Sequence, residues 1–156
     1  MFRLLSALLL VVGLAACSRP AAPATVPAAR HEHHPPHGGT PVVLGAELYH
    51  LELVRDAETG RLSAYVLDGE MENFIRIAAP RIELTVTIGG QTRPLVLAAV
   101  ANAATGETVG STSQFEAQAD WLRSTPAFTA VLARIEIRGT PFTAVAFKFP
   151  EGNDRD

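Results

Sequence analysis

The chain of 156 residues contains one cysteine, Cys17, and one lysine, Lys148. A lone cysteine cannot close a disulfide within the chain or build a multi-cysteine zinc site. Thirteen Lys and Arg face sixteen Asp and Glu, a net charge of −3. No basic stripe is present to neutralise phosphates, which argues against a nucleic-acid partner. Histidine is absent from residues 51–156, so a Ser–His mechanism would have to draw on His50 or on residues before it. Ser63, Ser111, Ser113 and Ser124 lack a G-x-S-x-G context, and no phosphate-binding glycine loop occurs. The carboxylate pairs Glu70/Glu72 and Glu47/Glu52 have no aromatic sugar platform beside them. Together these absences argue against an enzyme. Long apolar runs are missing too: Leu4–Leu14 falls short of the roughly 20 residues that span a bilayer as a helix.

What is present starts at the N-terminus. Arg3 supplies a positive n-region, Leu4–Leu14 an apolar h-region, and Leu14-Ala15-Ala16-Cys17 sets two small residues before the cysteine. The pattern resembles the lipobox of bacterial lipoproteins, L-[AS]-[GA]-C. That resemblance implies a signal peptide over residues 1–16, a diacylglyceryl group on the Cys17 thiol, and acylation of the new amino terminus. The mature chain would then be an exported, lipid-anchored protein of the cell envelope facing the periplasm. Its acyl chains would hold the membrane through CH₂ groups worth about 0.8 kcal/mol each. Ser18, rather than aspartate, favours the outer membrane over the inner by analogy with enteric bacteria. A lipidated Cys17 leaves no thiol for a disulfide, a zinc site or a nucleophile. The alternative is an ordinary secretory peptide with an incidental cysteine. Losing residues 1–16 leaves 140 residues with 12 basic against 16 acidic side chains, long enough for one domain with its own core.

Residues 17–41 carry the cysteine and then a tether. Six of the eleven prolines (Pro20, Pro23, Pro27, Pro35, Pro36 and Pro41) fall there among alanine and glycine. Such a segment cannot build a core and is predicted to be disordered, partly polyproline II, at about 3.1 Å per residue where extended. From residue 42 the pattern changes to short β-type runs. Pro41–Leu44 and Leu48–Arg55 predict a hairpin, Asp56–Gly60 a loop, and Arg61–Leu67 the next strand. Ile82, Leu84, Val86 and Ile88 alternate with Arg81, Glu83, Thr85 and Thr87, the clearest period-2 signal in the chain. Gly89-Gly90 turns into Arg93–Val100, and a weaker strand covers Ser111–Gln118. Asp120–Ser124 predicts one helical turn with Trp121 plugging the core, and Thr129–Arg138 and Pro141–Phe149 form a closing hairpin. The expected fold is all-β, an antiparallel β-sandwich or small barrel of about seven or eight strands over 42–150, with a polar tail at 151–156.

All five histidines, His31, His33, His34, His37 and His50, lie within twenty residues. Imidazole is the commonest protein ligand of Zn²⁺, Cu²⁺, Ni²⁺ and Co²⁺, so this cluster points to a divalent transition metal. Alternation sets His50 and Glu52 on one strand face, opposite Tyr49, Leu51 and Leu53. The candidate ligands are therefore His31, His33, His34, His37, His50 and Glu52. A solvated His-rich linker, with His50 and Glu52 as surface groups of a half-exposed strand, is the alternative. Met71, within the acidic stretch Asp68–Asn73, is a candidate soft ligand for Cu(I) beside harder carboxylates; an ordinary solvated loop is the alternative.

Several segments carry a further resemblance: His37-Gly38-Gly39 leading into the first strand, Tyr49–Leu53, Ser63–Asp68, the alternating Ile82–Ile88, and the closing Phe149–Gly152. In the order of their elements, residues 37–152 resemble the small N-terminal β-domain found in some periplasmic adaptor subunits of heavy-metal (cobalt–zinc–cadmium type) efflux systems. That resemblance implies metal handling or an interaction with an envelope protein such as an efflux component. The chain ends at Asp156 without the lipoyl-like, hairpin and barrel domains of such adaptors, so the resemblance does not imply a pump subunit. A lipoprotein interaction module with no metal role is the competing expectation.

Overall fold

The computed structural model describes residues 34–154. The expected signal peptide, Cys17, His31, His33 and most of the expected tether lie outside the described residues. Eight strands and one helical turn follow in order: β1 (Thr40–Leu44), β2 (Tyr49–Asp56), β3 (Arg61–Asp68), β4 (Arg81–Ile88), β5 (Gln91–Ala99), β6 (Gln114–Gln118), α1 (Trp121–Ser124), β7 (Phe128–Ile137) and β8 (Thr140–Phe149). All ladders are antiparallel. They join into one sheet of order β1-β2-β3-β6-β5-β4-β7-β8. The sheet rolls until β1 and β8 approach one another. The all-β antiparallel class read from the alternation is thus the observed one, and the two layers of the expected sandwich are opposite walls of a single, nearly closed sheet.

The alternation that builds β4 is visible in its burial: Ile82, Leu84 and Val86 are buried between exposed Arg81, Glu83 and Thr85. Each strand contributes such an inward set to one core, with Leu44, Leu53, Leu62, Leu97, Phe115 and Leu132 among its fully enclosed members. Burying one such side chain contributes roughly 1.5–3 kcal/mol. In β7 the inward set changes phase, from Phe128, Ala130 and Leu132 to Ile135 and Ile137. Opposite this change Ala144 of β8 takes a positive φ of 52°, so the hairpin turns over without losing register on either side. Pro94 lies within β5. It is tolerated because β6 pairs with β5 only at Ala98 and Ala99, leaving no ladder bond for the missing N–H to make.

The chain crosses from β6 to β7 past α1, where Leu122, not Trp121, is the enclosed side chain. Trp121 packs edge-on against Phe128 with ring centroids 5.8 Å apart and lies under the Arg93 guanidinium. Arg55 of β2 donates to the Leu122 carbonyl at 2.5 Å, tying the turn to the wall.

Closure between β1 and β8 does not use a strand ladder. Pro150 and residues 151–153, the latter expected as the start of a polar tail, turn back into the gap. Asn153 Oδ1 accepts from the Val43 N–H at 2.7 Å while its Nδ2 donates to the Val43 carbonyl at 3.1 Å. Thr40 Oγ1 donates to the Pro150 carbonyl at 3.0 Å. Gly152 is required here by close approach, since a Cβ would sit 2.3 Å from the Pro41 carbonyl oxygen.

Candidate functional site

The β1–β2–β3 register determines which side chains share the outer wall. Pro41, Glu52 and Tyr65 are mutual partners in one row, and Val43, His50 and Leu67 in the next. Directly paired residues of antiparallel strands project to the same face. An outward Glu on a strand would ordinarily meet water, but Glu52 and His50 are both fully enclosed. The expectation of a half-exposed strand face is corrected here: segment 37–39 folds back over the wall before β1 begins.

That fold-back is built on glycine. Gly38 has a φ of +66°, a left-handed conformation that costs most other residues about 1–2 kcal/mol. At Gly39 a Cβ would stand 2.6 Å from the Leu53 carbonyl oxygen and 2.8 Å from Glu52 Cγ, so only glycine lets the backbone lie this close. The His37 and Gly39 N–H groups consequently both reach Glu52 Oε1, at 2.7 and 2.9 Å. His37 Nδ1 meets Oε2 at 2.8 Å. A buried carboxylate is costly unless hydrogen-bonded, and these three charge-assisted contacts satisfy it.

The His37 ring is held by more than the carboxylate. It stacks on Tyr65, centroids 4.0 Å apart and 18° between planes, with Phe74 tilted beside both rings. Phe74, in the chain that follows β3, reaches this position by an antiparallel bridge back to Leu67 of that strand. Burial pushes the Tyr65 phenol above its usual pKa, and the negative fields of Glu116 and Glu52 add to that shift against the Ser63 hydrogen bond and the Arg61 charge. The His37 side chain stays 39% exposed. Among the described residues its Nε2 has no hydrogen-bond partner.

His50 stands one row along, its Nδ1 3.3 Å from the Asp68 carbonyl oxygen. Asp68 closes the following turn: its carboxylate accepts from the N–H groups of Glu72 and Asn73 and from the Asn73 side chain. Burial acts to raise the Asp68 pKa, but those hydrogen bonds and the His50 charge outweigh it and hold the carboxyl below its usual value. Met71 in that turn is buried.

Of the expected ligands, then, His37 and Glu52 are brought together, His34 lies exposed three residues upstream, and His31 and His33 are outside the described residues. Among the described residues no three His, Cys, Asp or Glu side chains assemble as a ready cation cage. Glu52 Oε1 already accepts two backbone hydrogen bonds and Oε2 meets His37 Nδ1, so its donor chemistry fits a group that supports His37 better than one that joins it at a metal. The imidazole of His37, contacted at Nδ1 by the carboxylate and partly exposed as a side chain, is of the chemical type that ligates transition metals. Sequence reasoning passed over Tyr65 and Phe74. The β2–β3 hairpin register was enough to set Tyr65 opposite Glu52, and Gly38-Gly39 signalled a close backbone approach.

The chain matches no protein-family model, and no curated protein or solved structure matches it.

Proposed function

We propose that the protein is a lipid-anchored module of the bacterial envelope that binds a divalent transition metal ion through the histidine segment at the root of its tether. The observation that carries this reading is His37, held on a buried carboxylate and an aromatic ring with its second nitrogen left over. Ordering one imidazole in advance lowers the entropic cost of forming a site that shares it. His31, His33 and His34 lie within six residues of it in sequence and would complete an imidazole set suited to Zn²⁺, Cu²⁺, Ni²⁺ or Co²⁺. The Leu14–Cys17 pattern supports the anchor, and the likeness in element order to efflux-adaptor β-domains supports a role beside metal export, as buffer, sensor or accessory.

Titration calorimetry of the full chain in detergent tests this. Saturable binding of Zn²⁺ or Cu²⁺ at low micromolar concentration is expected near neutral pH. It should be lost as protons compete for imidazoles, whose unperturbed pKa is about 6.5. Absence of saturable binding for either ion would leave the protein as an interaction module.

A further inference from the structure

Glu52 has two oxygens and they do different work. Oε1 receives two backbone N–H groups, from His37 and Gly39, and among the described residues Oε2 faces His37 Nδ1 alone. A carboxylate has acceptors and no proton to give. The hydrogen in the Nδ1–Oε2 contact therefore belongs to Nδ1, whatever the charge on the ring. In a neutral imidazole that leaves the lone pair on Nε2, the atom for which the described residues supply no partner. We propose that Glu52 is a positioning residue that fixes His37 in the Nδ1–H tautomer and presents Nε2 as its metal-coordinating atom. This rests on the metal-binding reading above.

Three features separate this from a carboxylate that merely pins the chain. Two backbone bonds to Oε1 would suffice to hold the strap, yet the ring is held as well. Stacking on Tyr65 fixes the plane of the ring, so direction as well as tautomer is set. Glu52 itself is fully enclosed, which keeps it from competing as a ligand. Carboxylate, histidine and metal in that order form a known arrangement in which the outer carboxylate orients the ring and raises its basicity.

Glu52→Gln discriminates the two roles because it keeps the shape. Its amide oxygen would stay on the two backbone N–H groups, since turning the amide round would set an NH₂ against two donors. The NH₂ would then donate to His37 Nδ1 and force the opposite tautomer, with the hydrogen on Nε2. Long-range proton–nitrogen NMR of the metal-free full chain, recorded at an alkaline pH where the spectrum itself reports a neutral His37 ring, should show Nδ1 alone protonated in the wild type and Nε2 alone in E52Q. Zinc affinity should fall about 10–100-fold in E52Q while its thermal midpoint stays close to wild type. Wild-type His37 found protonated at Nε2 overturns the proposal, and that measurement needs no variant. Unchanged zinc affinity in E52Q, with wild-type binding intact, overturns the role of Glu52 alone. No saturable zinc binding by the wild type overturns the metal reading and the coordination half of the proposal with it.

Discussion

Asn153 completes the β1 edge at Val43, its side-chain amide making both hydrogen bonds that a neighbouring strand would have made. One residue of the C-terminal segment thereby does for the gap what a ninth strand does in a fully closed barrel, and covers an edge that would otherwise template pairing with another chain.

Asn153→Ala removes both bonds and should cost about 1–3 kcal/mol, at a net worth of about 0.5–1.5 kcal/mol for each intramolecular hydrogen bond. Native-state hydrogen exchange reads this locally. The Val43 amide should lose protection in the variant while the amides of the β4–β5 ladder keep theirs.

The two glycines of the strap should differ sharply. Gly39→Ala drives a Cβ to within 2.6 Å of backbone and should release the segment from Glu52. Gly38→Ala meets open space and bears only the cost of its φ of +66°, about 1–2 kcal/mol. Urea unfolding of both variants should rank Gly39→Ala as clearly the less stable. Equal losses would mean that the strap does not lie against the wall as described.

Glu107 should make stability acid-sensitive. Burial acts to raise its pKa, but hydrogen bonds from Ser113 and Thr105 and the Arg76 charge outweigh it and bring the carboxyl below its ordinary 4.5. A depressed carboxyl contributes stability that is fully present above the unfolded value and lost as pH falls through the folded one. Thermal midpoints should thus hold down to about pH 5 and decline below the ordinary value. Glu107→Gln should flatten that decline.

Cys17→Ser should free the protein from membrane fractions or leave its signal peptide attached. A variant still cleaved at the same position and still sedimenting with membranes would remove the lipid anchor from the proposal.

The strands were legible wherever one face met the core and the other met water, as along Ile82–Ile88, because period 2 then writes itself into the residue types. The turn at Trp121 was legible as well, although its neighbour Leu122 proved the enclosed one. Strand order was not: beyond the β4–β5 hairpin at Gly89-Gly90, the β3–β6 and β4–β7 pairings join strands tens of residues apart and leave no local trace. Glu52 shows the limit most clearly. In the run Tyr49–Leu53 an outward glutamate looks like a solvated one, and its burial is decided by a backbone segment that arrives from thirteen residues earlier. Only Gly38-Gly39 announced that segment.

The strap also lies at a mechanical junction. A load applied to the chain ahead of residue 34 reaches the barrel first through His37 and Gly39 on Glu52, before it meets the β1 ladder that begins at Thr40. The three contacts on one carboxylate are therefore the first rung to bear tension. If the tether is drawn taut, the His37 ring and the tension on the protein become a single variable, and whatever steadies that ring also stiffens the joint.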